Sequence, residues 1–175
     1  MTQRQVRNIV VNALYEFLGG PKVVLSDQTM PEAECPYIYY QSVQQRIPGP
    51  ANVTGQLDAE GQSITKTRSE HAETTYSFTA CSFNRTGPDG EAISGDDEAL
   101  DLADRAQGFF LFTGRQLLAD QGVVVVSVEN TQARSAFNID ETDRRYGFDV
   151  LLRYERQDTR TVPTMELPTI YMKEE

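Results

Sequence analysis

One histidine and two cysteines are the chain's whole stock of imidazole and thiol groups. A nucleophilic pair of His71 and Cys81 would need the ring within hydrogen-bond reach of the thiol. The two lie on what reads as one extended segment. At about 3.3 Å per residue their separation is roughly 30 Å, so the pair does not form. Two cysteines and one histidine cannot close a tetrahedral zinc site unless carboxylates fill in. Cys35 and Cys81 both fall in strand-like segments, and no signal-peptide core opens the chain. They read as reduced, buried side chains rather than a disulfide. The densest acidic cluster, Asp96, Asp97 and Glu98, could in principle hold a metal or act as a carboxylate site. It directly follows Ser94 at the start of a helical pattern, where each exposed acid gains about 0.3–1 kcal/mol from the helix dipole. A helix cap is therefore the expected role. Tyr37, Tyr39 and Tyr40 could stack bases, but that use needs interleaved basic residues, and sheet packing is the simpler reading. The chain contains no G-x-S-x-G, H-E-x-x-H, G-x-G-x-x-G or P-loop pattern. No enzyme, no metal and no cofactor is expected.

The elements that would position these residues follow from periodicity. Residues 2–18 form a helix with an apolar stripe of Val6, Ile9, Val10, Ala13, Leu14 and Phe17. Thr2 and Gln5 fit a capping box, and Gly19, Gly20 and Pro21 stop the helix. Residues 22–25 and 36–47 read as strands. In residues 74–84, Tyr76, Phe78 and Ala80 face one way, and Thr75, Ser77 and Thr79 form the wetter face. Phe83 breaks that phase and would mark a bulge. A second, unbroken helix is expected over 95–120, burying Ala99, Leu102, Ala103, Ala106, Phe110, Thr113 and Leu117. Gly108 and Gly114 each weaken it by about 1 kcal/mol relative to Ala, and would allow a neighbouring backbone to approach. Residues 123–129 form an almost continuous apolar run, which predicts a central strand. Residues 144–156 alternate cleanly, with Tyr146, Phe148, Val150, Leu152 and Tyr154 on one face. The fold class is α+β: a mostly antiparallel sheet with two amphipathic helices packed on one face.

Two segments do not fit a self-contained globule. Residues 48–72 are punctuated by Pro48, Gly49, Pro50, Gly55 and Gly61 and carry almost no apolar side chains. They predict a protruding hairpin or arm that depends on a partner for order. Residues 157–175 carry Pro163 and Pro168 among Val162, Met165, Leu167, Ile170 and Tyr171. Proline excludes a helix or a central strand, so an extended arm lying on a neighbouring subunit is expected. The organisation is thus one domain over 1–156, with the 48–72 arm, and a C-terminal arm over 157–175. The balance of 16 basic against 26 acidic residues leaves a net charge of −10, which argues against a protein that grips phosphates. No apolar run approaches the roughly 20 residues of a membrane span.

The segments TTYSFTACSFNRTGPDG, DDEALDLADRAQGFFLFTGRQLLADQG, VVVVSVEN and RRYGFDVLLRYERQDTRTVPTMEL resemble the tail-terminator or neck-terminator proteins of long-tailed bacteriophages. The likeness runs from about residue 74 to residue 167, and its strongest item is the aromatic-rich terminal strand. It implies a structural virion protein of the neck, synthesised in the host cytoplasm. Such a subunit forms a homo-oligomeric ring, generally a hexamer, that caps the tail tube. It joins the tube to the head-completion or connector protein, and in contractile tails it also anchors the sheath. DNA passes through without specific binding. On this reading Asp140, Glu141 and Asp143 are candidates for a channel-facing loop. Val162, Met165, Leu167, Ile170 and Tyr171 are candidates for the inter-subunit arm. Arg144, Arg145, Arg153 and Arg156 could pair with acids of an adjacent copy or simply keep the surface soluble. The alternative is a small-molecule-binding or regulatory α+β domain, an architecture that serves many functions.

Overall fold

Helix α1 (Gln3–Leu18) begins where the capping box sets it. Thr2 caps the backbone of Gln5, the Gln5 side chain accepts from the Thr2 N–H at 2.8 Å, and Gly19 ends the helix in the left-handed region. The computed structural model describes residues 1–26, 34–137 and 142–164. After α1 come strands β1 (Lys22–Leu25), β2 (Tyr37–Ile47), β3 (Ala51–Leu57) and β4 (Ser63–Ser82). Two short strands, β5 (Arg85–Thr86) and β6 (Ala92–Ile93), form a small hairpin ahead of helix α2 (Gly95–Gly108). A π-helical turn, Phe109–Thr113, leads into helix α3 (Gly114–Asp120). Strands β7 (Val123–Val128), β8 (Gln132–Ala133), β9 (Ala136–Phe137) and the long β10 (Thr142–Pro163) follow.

The main sheet runs β1-β2-β4-β10-β7, with β1 parallel to β2 and the rest antiparallel. Its spine is the β4–β10 ladder, unbroken from Arg144↔Ser82 to Pro163↔Ser63. On the helix side, Phe78 and Phe148 stack at 6.0 Å, and Phe110 closes over them at 5.0 Å and 6.1 Å. Val6, Val10 and Leu14 of α1 and Leu102, Ala103 and Ala106 of α2 complete this core. The α+β class and the two helices on a mostly antiparallel sheet are as expected.

Several expectations change. The second helix is interrupted: a π turn that begins at the buried pair Phe109 and Phe110 adds a residue to one coil. The buried stripe then advances by one, to Gly114 and Leu118, and leaves Thr113 and Leu117 exposed. A Cβ on Gly114 would lie 2.4 Å from the Phe109 ring, whereas one on Gly108 would meet nothing. Strand β7 lies at the sheet edge, not its centre. Val123 and Val125 are buried while Val124 and Val126 face outward, so the valine run reflects one buried face and one bare one. Phe83 marks the end of β4 rather than a bulge within it. The expected wetter face of β4 is polar but covered, with Ser77 and Thr79 both buried. Arg134, beyond β8, lies across it and donates to Ser77, to Thr79 at 3.1 Å and to Asp149 at 2.8 Å.

Candidate functional site

His71 and Cys81 lie ten residues apart on β4. The backbone N–H of His71 donates to the Pro50 carbonyl at 3.2 Å. Cys81 is buried in β4, Cys35 is half-buried, and no disulfide joins them. At the start of α2 the three acids diverge. Ser94 caps the Asp97 N–H, and Asp96 accepts from the Tyr146 hydroxyl at 3.1 Å. Glu98 takes a two-pronged grip from Arg85 at 2.6 Å and 2.8 Å. That grip outweighs burial and, with the Ser82 hydroxyl, holds the Glu98 carboxyl below its ordinary range. Among the described residues no three His, Cys, Asp or Glu side chains are grouped to hold a metal.

The more telling feature is a three-stranded blade that continues the sheet beyond its core. Strand β3, residues 63–70 of β4 and residues 156–163 of β10 pair in register, from Ala51↔Glu70↔Arg156 out to Leu57↔Ile64↔Val162. The 48–72 segment therefore is a hairpin, and its third strand comes from the same chain. The expected boundary at residue 157 falls inside β10, because Pro163 is the strand's last residue and interrupts no ladder. The joint between body and blade is built on Glu70, which is buried. Its carboxylate accepts from Arg46 at 2.6 Å, from Arg68 and from the Gly49 N–H at 3.3 Å. Burial pushes this carboxyl up, but the guanidinium groups and the backbone donor overcome it and hold it below its usual range. Gly49 sits so close to β4 that a Cβ would fall 1.8 Å from the His71 carbonyl oxygen. Arg156 continues the network to Asp158 at 3.0 Å, and buried Tyr154 lies beneath it.

The blade's two faces differ. The helix-side face shows Val53, Leu57, Ile64 and Val162 among Lys66, Arg68, Arg160 and Asp158. The other shows Thr54, Thr65, Thr67, Thr159 and Thr161. Val53 and Leu57 are 60% and 56% exposed. On the body, the exposed large apolar side chains include Leu100, Leu111, Phe112 and Leu117, and Val124 and Val126 on the outer face of β7. Phe112 is 85% exposed. A separate open groove of about 480 Å³, lined by Arg4, Arg7, Tyr40 and Tyr76 among others, lies beside the start of α1.

The sequence-predicted site residues are only partly within view. Val162 pairs with Ile64 in the blade, and Asp143 lies at the start of β10, in register with Ala136. Asp140, Glu141, Met165, Leu167, Ile170 and Tyr171 lie outside the described residues. Arg153 pairs with Glu73 at 2.6 Å and Arg156 with Asp158, so both arginines have partners within their own chain. Sequence reasoning missed Arg46, Arg68 and Glu70. The signal was the strict alternation of hydroxyl and charged residues from Thr65 to Glu70, which is a strand pattern without a hydrophobic face.

Compared with known families, residues 8–175 match the family model described as phage neck terminator protein. No curated protein matches the chain.

Proposed function

The chain belongs to the phage neck terminator family, and from that premise we propose that it is the subunit of a closed ring, hexameric, at the head-proximal end of the tail. Membership makes it a structural phage protein of the neck. The ring would cap the tail tube, meet the head-completion or connector protein above it, and carry the sheath attachment where the tail contracts. DNA would pass through the opening, where an acidic wall repels phosphates rather than binding them. The net charge of −10 supports that wall, and Asp140, Glu141 and Asp143 are its proposed lining. Residues 162–171, with Val162, Met165, Leu167, Ile170 and Tyr171, are proposed to reach a neighbouring copy.

The blade carries this reading. A three-stranded extension that carries none of the hydrophobic core, with every residue of β3 exposed, becomes useful only when another molecule covers it. A ring subunit needs one surface that meets a different surface on its neighbour, and a projecting blade with a separate apolar patch supplies two unlike surfaces. The test is electron microscopy and sedimentation of the full-length protein, alone and with purified tail tubes. Closed rings, or protein seated at one tube end, are expected. A protein that stays monomeric and never associates with tubes would overturn the proposal.

A further inference from the structure

We propose that the helix-side face of the blade docks on the exposed stripe of α2 in the next copy of this chain. The inference rests on the ring reading above and identifies the two surfaces that would close it.

The blade face is basic in an acidic protein. Arg46, Lys66, Arg68, Arg156 and Arg160 stand there against two carboxylates, Glu70 and Asp158. Both carboxylates are already bound to arginines of the same face, while Lys66 and Arg160 make no ion pair among the described residues. The apolar side chains Val53, Leu57, Ile64 and Val162 lie between these cations.

The α2 stripe has the opposite composition. Asp97, Leu100, Asp101, Asp104 and Gly108 are exposed and recur at helical spacing, so they share one face turned away from the sheet. Leu111 and Phe112 continue that face across the π turn. Asp97, Asp101 and Asp104 make no ion pair among the described residues. Each surface therefore offers apolar groups set among unpaired charges, of opposite sign on the two. Their lengths also agree. The seven residues of β3 span about 23 Å at ~3.3 Å per residue. The fourteen residues of α2 span about 21 Å at ~1.5 Å per residue. Because blade and stripe are different surfaces of one chain, the contact is head-to-tail. Contacts of that kind generate a ring when the rotation closes.

The test uses charge reversal on each surface of the full-length protein, with circular dichroism to confirm folding. Lys66→Glu with Arg160→Glu reverses the blade, and Asp101→Lys with Asp104→Lys reverses the stripe. Each double variant alone is expected to raise the concentration for half-assembly by about a hundredfold or more, since like charges then face each other. An equimolar mixture of the two should assemble again, because the acidic blade of one variant meets the basic stripe of the other. The chain carrying all four substitutions should also assemble. Folded double variants that assemble as the parent does, or a mixture that stays apart, would overturn the docking while leaving the ring reading intact. A parent protein that forms no ring overturns both. Blade reversal that leaves assembly unchanged and only lowers retention of duplex DNA would assign the face to nucleic acid and also overturn the proposal.

Discussion

Two glycines in the interrupted helix should respond to the same substitution with opposite signs. Gly108 has ordinary helical angles, and a Cβ there meets nothing within 4 Å. Gly108→Ala should therefore gain the usual helix propensity difference of about 1 kcal/mol. For a domain of this size that raises the melting temperature by roughly 2–4 °C. Gly114 also has helical angles, so the propensity gain is available there too. Its new methyl, however, would lie 2.4 Å from Cζ and 2.6 Å from both Cε atoms of Phe109. That ring is buried and cannot retreat freely, being held by Phe17 at 5.2 Å and Phe110 at 5.1 Å. Overpacking of this kind costs about 1–3 kcal/mol, so after the propensity gain Gly114→Ala should lose up to about 2 kcal/mol. The melting temperature should fall by several degrees. Thermal denaturation followed by circular dichroism reads both variants. A double-mutant cycle with Phe109→Leu isolates the clash: the pair should cost less than the sum of the two single changes. If Gly114→Ala melts at or above the parent temperature, the π turn is not what packs Phe109, and an unbroken helix must be restored.

The joint under the blade makes stability depend on acid. Glu70 is held below its usual pKa in the folded protein, so its contribution is complete above the unfolded carboxylate range and is lost as pH falls through the lower folded value. Glu70→Gln should accordingly melt below the parent at neutral pH, and the two curves should converge in strong acid; a gap that stays constant with pH would contradict the charge-based joint. Arg134→Ala should leave the buried Ser77 and Thr79 hydroxyls short of a partner, at about 1–3 kcal/mol, and lower the midpoint of urea unfolding. An unchanged midpoint would show that the β4 hydroxyls do not depend on that guanidinium.

The parts of the fold that depend on local rules were legible in the sequence. The side chains of Thr2 and Gln5 make a capping box by each accepting from the other's backbone N–H, and the buried face of residues 76–80 and 146–154 follows from alternation alone. What depends on tertiary placement was not. The valines of β7 look the same whether a strand is central or lies at an edge, because only the identity of the next strand distinguishes the two. The π turn is invisible to a helical template: an unbroken 3.6-residue period puts Thr113 and Leu117 on the buried face, and the extra residue that moves that face to Gly114 and Leu118 has no composition of its own. Arg134 is separated from Ser77 and Thr79 by the whole second helical region. The blade lay in between. Its hairpin is readable from Pro and Gly punctuation, but its third strand is not, because Pro163 and Pro168 give residues 157–175 the composition of an extended arm.

The composition of the blade is what a subunit needs if it must remain separate before it assembles. Every residue of β3 is exposed, so this strand is an open edge that could pair with any other edge. A blade with continuous apolar faces would associate promiscuously. Here Gly55 separates Val53 from Leu57, Pro48 and Pro50 interrupt the approach from β2, and Lys66, Arg68 and Arg160 stand among the apolar groups. One face therefore carries too little continuous apolar surface to bind without matching charge, and the other presents mostly threonine. Specificity then rests on the partner's charge pattern rather than on hydrophobic area. The −10 charge of the whole chain adds mutual repulsion between free copies. A head-to-tail contact that buries basic blade against acidic helix opposes this repulsion locally, at the one pairing of surfaces where the signs differ. By the same reasoning, assembly of the ring should weaken as salt screens that contact, while folding of the monomer, which relies on the Phe78, Phe110 and Phe148 core, should be far less affected.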